Sequence, residues 1–432
     1  MHRYSRKICL FLAMLGGSHP ARTQPLESPD MARPGVDLSD GLSADEAVAL
    51  ALARNPSLIA LEKGRAVAQA YVSQSSLPPS PEVRVGVSDI AADPDGLGSR
   101  RTNVGLRWSP PRPGELGLKS AIARSKVDEV SGSIGVAKQR LVAEVRLLHQ
   151  TIALIEEQIR IAEQTLRLHE EILVTVGAQL AAGTKSSLDQ SLAELSVADA
   201  RAVPERYKLE RRLQISRLAA KLDLPRSYEV KLQTGGDQLD YRPPQFEREQ
   251  LIASALEHRM ELKTADARCT QAQLASKAAR RERYPWISFT QINRRLGAAD
   301  DPSAWGFQVG VEIPVFRWRS DALEATSAAL SQCRLEQQAL KAAIASEIDE
   351  LRLRLESAQG ELQHYVRASG SLSDRNVELS RAALSEGQVD AVEPLLAQAR
   401  QMSAKLAYVT KLMDVREIEA ALTQATGAKP GQ

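Results

Sequence analysis

Side chains that could bind a metal or attack a substrate are sparse in this sequence. The histidines after the first few residues stand singly, and no two of them have the four-residue spacing of a helical zinc site: His19, His149, His169, His258 and His364. The chain has no glycine-rich phosphate loop, no nucleophile elbow and no cysteine–histidine motif. We therefore expect no catalytic residue, no metal site and no cofactor, and we expect that the protein is not an enzyme.

Two cysteines, Cys269 and Cys333, fall in helical patterns of the second half. Spacing alone does not fix the geometry of a disulfide, so a disulfide and two free thiols are both compatible with the sequence. We expect two buried free thiols.

The N-terminal segment has the order of a secretory signal. Basic residues precede an apolar run that starts at Ile8, and small residues follow up to Ser18, which predicts a signal peptide over residues 1–18. No other apolar stretch approaches the roughly 20 residues of a membrane-spanning helix, so any membrane contact must come from strands or a surface helix.

Composition favours long helices and argues against nucleic acid as a partner. Charged residues make up 25 % of the chain and aromatic residues 4 %, and the net charge is only +2 with acids and bases interleaved. Such a surface has no basic face for nucleic acid, and the helix-forming residues dominate.

The chain is an internal duplication. One offset of 204 residues aligns landmarks of both halves: Leu58 with Leu262, Pro81 with Pro285, Pro110 with Pro314, Gly183 with Gly387, and Leu218 with Leu422. We expect two equivalent repeats at 19–222 and 246–427, separated by a linker at 223–245 and followed by a tail at 428–432.

Each repeat is predicted to contain a helix, a strand pair and a long helical hairpin. The first helix should start at Ser43, with Glu46 as its capping-box partner, and end near Leu77, and its counterpart should cover 246–283. The strand pairs are predicted at 81–109 and 285–314. The helical hairpins are predicted at 115–222 and 319–426.

The long helices carry apolar seams with alternating steps of four and three, as in coiled coils. In the first repeat the seam comprises Leu141, Val145, Leu148, Ile152, Ile155, Ile159, Ala162, Leu166, His169, Leu173, Val176 and Leu180. In the second it comprises Ile344, Ile348, Leu351, Leu355, Ala358, Leu362, Tyr365, Leu372 and Leu379. A helix over 115–180 would be about 100 Å long, too long for a compact globule.

The predicted strands alternate between apolar and polar residues. Their apolar set, expected to face lipid, is Val83, Val85, Val87, Val104, Leu106, Trp108, Ile287, Phe289, Phe307, Val309, Val311 and Ile313. A small sheet on a soluble core would give the same alternation. Strand lengths close to the roughly 9–11 residues of outer-membrane strands, and charged residues on the polar faces, favour a membrane sheet. Four strands cannot close a barrel, so several chains must pool their strands if the sheet enters a membrane, and three chains would give twelve.

Several segments resemble the outer-membrane efflux proteins of the TolC type, over nearly the whole chain and in both repeats. They are residues 42–56, the Val309-Gly310-Val311 strand that leads to Ile313-Pro314, and the turns at Gly183 and Gly387. The resemblance implies a fold that is mainly α with a small β part, in which duplicated coiled-coil hairpins form an α-barrel. Four transmembrane strands per chain would form a trimeric 12-stranded β-barrel. The implied location is the outer membrane of a Gram-negative bacterium, with the helices in the periplasm.

The implied function is the exit duct of a tripartite efflux pump for drugs or metal ions, or of a type I secretion system. The implied partners are two further copies of the chain, a periplasmic adaptor (membrane fusion) protein, an inner-membrane pump and outer-membrane lipid. The hairpin tips would meet the adaptor through Ala182, Gly183, Thr184, Glu386, Gly387 and Gln388.

Asp189 and Glu393 take places where relatives carry acids that face the pore. Three chains would put six such carboxylates around the closed end, a ring that attracts cations. Because acids also stabilise helix N-termini, a purely local role for these residues is open as well.

The alternative function is a soluble periplasmic coiled-coil scaffold or adaptor. Adaptors have one helical hairpin, whereas two hairpins and two strand pairs in duplicate favour the channel.

Overall fold

The structure, a computed structural model, describes residues 41–89, 100–224, 231–233, 241–244, 247–296, 304–315, 321–386 and 388–427. The predicted signal peptide at 1–18, the tail at 428–432, Gly387 and the side chain of Val87 lie outside the described part. So does most of the predicted linker at 223–245.

The first repeat opens with two helices, α1 (Ala44–Arg54) and α2 (Pro56–Ser75). The predicted capping box at the start of α1 is confirmed. The Glu46 N–H donates to Ser43 Oγ at 3.3 Å, and the Ser43 N–H donates to Glu46 Oε2 at 2.9 Å. The two side chains thus accept hydrogen bonds from two backbone N–H groups that have no partner within the helix.

The expectation of one continuous helix up to Leu77 is wrong. The break falls at Asn55, whose side-chain Oδ1 accepts a hydrogen bond from the Leu58 N–H at 3.2 Å and so caps α2. Pro56 is suited to the first position of α2, since its missing N–H needs no partner there. In the second repeat, α5 (Arg248–His258) and α6 (Met260–Arg281) are separated at the equivalent residue, Arg259.

The long hairpin of the first repeat consists of α3 (Glu115–Ala181) and α4 (Ser187–Lys221). With 67 residues, α3 extends for about 100 Å. In its first half α3 packs against α2 and α6, where Ser125 Oγ donates to the Ala267 carbonyl at 2.6 Å. In its second half it packs against α4 and the last helix of the chain.

The predicted seam of α3 is only part of its buried surface. Val145, Ile152, Ile155, Ala162 and Val176 are buried as expected. Leu148 is only half-buried, whereas its neighbour His149 is buried, with Nε2 2.9 Å from the Leu42 carbonyl oxygen. Because α3 contacts several helices, its buried face is wider than a two-helix seam.

The long helix of the second repeat is interrupted. It consists of α7 (Asp321–Tyr365), a π-helical segment (Val366–Gly370) and α8 (Ser371–Ser385), after which α9 (Val392–Thr426) returns. The seam predicted for this helix is buried at Ile344, Ile348, Leu355 and Leu362. Beyond the π segment the prediction is wrong: Leu372 and Leu379 are exposed and Val377 is buried. The π turn widens the helical repeat and rotates the following residues onto another face.

The four strands form one antiparallel sheet in the order β1 (Glu82–Asp89), β2 (Arg100–Trp108), β3 (Trp286–Leu296) and β4 (Ala304–Glu312). Each repeat thus contributes one hairpin, and β2 pairs with β3 across the repeats. Within the described part of the chain, β1 and β4 each have one unpaired edge.

A register shift in β3 corrects one sequence expectation. Ile287 pairs with Val311, but Phe289 pairs with Gly310, so Ser288 is an extra residue. Such a bulge reverses the alternation of the residues that follow it. Phe289 therefore lies on the polar face of the sheet, away from the other predicted lipid-facing residues.

Cys269 on α6 and Cys333 on α7 form a disulfide, with their Cα atoms 5.5 Å apart. The expectation of two free thiols is therefore wrong. The duplicated packing of α6 beside α7 brings these positions together, and sequence spacing carries no signal of that contact.

The predicted class, mainly α with a small antiparallel sheet, is confirmed. Among the described helices, none has an apolar stretch of the length that crosses a bilayer.

Candidate channel surfaces

One face of the sheet is apolar and exposed. Strand pairing places Val83, Leu106, Ile292 and Phe307 in one row across all four strands. Neighbouring rows on the same face contain Val85, Val104, Trp108, Trp305, Val309 and Val311. No part of the described chain covers this face, and Phe307 is 68 % exposed.

The opposite face is polar and carries arginines. Arg84 forms an ion pair with Glu82 at 3.2 Å, and the Arg107 guanidinium lies 4.0 Å from the centre of the Phe289 ring. The rest of this face includes Asn103, Gln291, Asn293, Arg295 and Gln308. Phe289 is thus the stacking partner of a polar-face arginine.

Arg112 joins the sheet to the helices of both repeats, a role that the sequence did not reveal. Its guanidinium donates to the Arg281 carbonyl at 3.2 Å, also donates to the Tyr284 carbonyl, and lies 3.6 Å from Glu312. In return, Arg281 donates to the Pro113 carbonyl at 3.1 Å. The proline-rich segment before α3 is therefore clamped to the start of the second strand pair.

The first hairpin tip is a tight turn at Gly183, which has φ +75°. This left-handed backbone is accessible to glycine at little cost. The turn lies between Ala182 and Thr184, and the Thr184 N–H and hydroxyl both donate to the Gln179 carbonyl, at 2.9 and 3.0 Å.

The second tip is built similarly around Glu386 and Gln388. The Gln388 N–H donates to the Ala383 carbonyl at 2.9 Å, and its side-chain Nε2 donates to Glu386 Oε2 at 2.7 Å.

Asp189 is part of a capping box at the start of α4. The Ser186 N–H and hydroxyl donate to Asp189 Oδ2 at 2.9 and 2.7 Å, and together they hold the pKa of Asp189 below its ordinary value. Asp189 is half-buried. Glu393 holds the equivalent place in α9 without such a box, and its N–H donates to the Asp390 carbonyl at 3.1 Å. The local capping role is thus present at Asp189 and not at Glu393.

The two tips are joined through Asp390. Its carboxylate accepts from the Gln179 side chain and forms an ion pair with Lys185 at 3.3 Å. Partial burial works to raise the pKa of Asp390, but the hydrogen bonds from Gln179 and Lys185 outweigh it, so the pKa is lowered. A small apolar cluster of Ile172, Val176, Ala193 and Val392 lies beside this link. Asp390 stands at the position that is equivalent to the capping Ser186 of the first repeat. This difference between the two repeats is the sequence signal that could have pointed to a separate role for Asp390.

Over the described ranges, no three His, Cys, Asp or Glu side chains come together as a group that could hold a metal ion.

Comparison with known proteins agrees with this geometry. Residues 47–222, less than half of the chain, match the family model described as outer membrane efflux protein. No curated protein matches the chain significantly in sequence.

Solved structures match nearly the whole chain. A CusC structure is 18 % identical with a TM-score of 0.72, and the match covers 90 % of this chain and 94 % of that one. VceC of Vibrio cholerae is 14 % identical with a TM-score of 0.71, covering 89 % and 96 %. The CmeC outer membrane channel of Campylobacter jejuni is 13 % identical with a TM-score of 0.70, covering 89 % and 85 %. Residues 47–222 therefore match the model of the outer membrane efflux protein family, within a chain that has the fold of these solved structures.

Proposed function

We propose that the chain is the outer-membrane exit duct of a tripartite efflux pump or a type I secretion system, acting as a homotrimer. One observation carries the proposal: in the described part of the chain, a four-stranded sheet with an exposed apolar face and two unpaired edges lies at one end of a helix about 100 Å long.

The sheet is stable in lipid only if its edges are paired. In a bilayer an open edge leaves N–H and C=O groups without partners, at a cost of several kcal/mol each. Strand β4 of one chain pairs with β1 of the next, and three chains of four strands close a twelve-stranded barrel. The face with Phe307 then meets lipid, and the face with Arg107 lines the aqueous lumen.

The helices extend the barrel into the periplasm and present the tips to an adaptor protein. Asp189 and Glu393 from three chains form a ring of six acids near the tip end. Ala182, Gly183, Thr184, Glu386, Gly387 and Gln388 form the docking surface for the adaptor, which in turn binds an inner-membrane pump.

Adjacent residues on β4 provide a matched test, because Phe307 and Gln308 lie on opposite faces of the sheet. An arginine in place of Phe307 puts a charge on the face that meets lipid, which is unfavourable, whereas an arginine at Gln308 faces water. We expect Phe307→Arg to lose outer-membrane recovery and bilayer conductance, and Gln308→Arg to retain both.

Cell fractionation separates the channel from the scaffold alternative. A channel is recovered with the outer membrane, as a three-copy particle in mild detergent. Recovery of the wild-type chain in a detergent-free periplasmic extract would instead support the coiled-coil scaffold, although the duplicated strand pairs favour the channel.

A further inference from the structure

An arginine stands on the face of the sheet that contains Phe307. Arg294 of β3 pairs with Trp305 of β4 and with Val104 of β2, and directly paired residues share a face. The Arg294 guanidinium carbon lies 5.5 Å from the centre of the Trp305 ring. Trp305 itself is 71 % exposed. The pair is therefore part of the surface that contains Phe307.

Arg294 has no carboxylate partner among the residues that the structure describes. Within the described part of the chain, no acidic side chain pairs with it, whereas Arg84 and Arg112 have carboxylate partners. Stacking on the indole ring orients the guanidinium without neutralising it. The exposed guanidinium is therefore accessible to an anion outside the chain.

The position along the strands identifies that anion. Arg294 lies two residues before β3 ends at Leu296, on the side of the sheet remote from the helices. An arginine is costly at the bilayer midplane but close to neutral at the interface, where aromatic residues are enriched as well. With the helices in the periplasm, this side meets the headgroups of the outer leaflet.

We propose that Arg294 and Trp305 form a binding site for a lipid phosphate of the outer leaflet, one site per chain. The inference rests on the proposed channel function. The guanidinium donates two hydrogen bonds to phosphate oxygens, and the indole ring packs along the lipid at the headgroup boundary.

Arg295 provides a matched control, because it carries the same charge one residue later. It pairs with Asn103 and Ala304 on the polar face, so it faces the lumen. The experiment titrates purified detergent-solubilised trimers with bis-phosphorylated lipid A and measures the bound lipid by native mass spectrometry. Dephosphorylated lipid A is the second probe.

We expect Arg294→Gln to bind the phosphorylated lipid about tenfold more weakly, the loss of one charge-assisted contact. Arg295→Gln should bind it like the wild type, Arg294→Lys should lie between, and the dephosphorylated lipid should not distinguish the variants. Equal binding by Arg294→Gln and wild type would overturn the site. An equal loss in both glutamine variants, or displacement by inorganic phosphate at millimolar concentration, would also overturn it in favour of non-specific charge attraction.

Conductance keeps this inference separate from the proposed function. If wild-type trimers conduct but their lipid binding does not depend on Arg294, only the lipid site is refuted. Chains that form no trimer and no conducting pore refute the channel itself.

Discussion

Lys185 of the first hairpin tip and Asp390 of the second form an ion pair, with Nζ 3.3 Å from Oδ2. The Gln179 side chain donates to the same carboxylate. Because the two residues belong to different repeats, the pair holds one hairpin against the other at the end where the proposed duct narrows.

Breaking this pair should let the tips separate. We expect Asp390→Asn to raise bilayer conductance, since an ion pair near the surface is worth about 0.2–1 kcal/mol and changes the ratio of separated to joined tips by up to about fivefold per chain. High salt should also favour separated tips, because it screens the ion pair. Glu386→Gln is the control, because the hydrogen bond that Glu386 accepts from the Gln388 side chain lies within a single tip. Unchanged conductance in Asp390→Asn would contradict the role of the link.

The link should also depend on pH. The pKa of Asp390 is lower in the folded chain, so its contribution is present above the ordinary aspartate value of about 3.9 and is lost as the pH falls through the lowered value. Conductance of the wild type should therefore rise only at a pH below about 4. The Asp390→Asn variant should lack this rise.

The acidic ring should favour cations. The double variant Asp189→Asn and Glu393→Gln removes six charges from a trimer, and the new asparagine can still accept a hydrogen bond from Ser186. We expect this variant to show a weaker cation preference, measured as the reversal potential across a salt gradient. Because the pKa of Asp189 is lowered, its contribution to the wild-type preference should persist to a pH below the ordinary aspartate value of about 3.9. An unchanged reversal potential in the double variant would remove the proposed pore role.

The disulfide between Cys269 and Cys333 should stabilise the part of the helical body next to the sheet. It closes a loop of 64 residues, and loss of such a cross-link costs about 2–4 kcal/mol. We expect Cys333→Ser to lower the denaturant midpoint of the purified protein, and reductant to lower the wild type to the same value. Reductant should not affect the variant further.

Two glycines of α3 should respond in opposite directions to alanine. A Cβ on Gly132 would collide with Thr264 of α6, whose Cα lies 3.3 Å from that position, so Gly132→Ala should destabilise the chain by about 1–3 kcal/mol. Gly117 has open space around it, and Gly117→Ala should be neutral or stabilise by up to about 1 kcal/mol through helix propensity. Thermal unfolding of the two variants measures the difference. Similar effects would contradict the close approach of α3 and α6.

Features that depend on local periodicity could be predicted from the sequence. The alternation around Val309 and the capping box at Ser43 each depend on residues within a few positions, and both are present in the structure. The break at Asn55 could also have been predicted, because an asparagine before a proline is a common helix start.

Features that depend on partners far along the chain could not. The bulge that moves Phe289 to the polar face is defined against Gly310, and the Cys269–Cys333 bond requires the packing of α6 on α7. The Lys185–Asp390 pair likewise exists only once the two tips meet. Each of these features depends on a contact between two distant segments, and the sequence of one segment alone does not indicate that contact.

The edges of the sheet that no described residue pairs with belong to different repeats, with β1 at one side and β4 at the other. Copies that join through these strands must associate head to tail, since a twofold contact between like edges would leave the unlike edges exposed. Head-to-tail association has two outcomes, a closed ring or an endless filament, and the rotation between neighbouring copies decides which one forms. The angle across the β4–β1 contact is therefore the quantity that sets the number of chains.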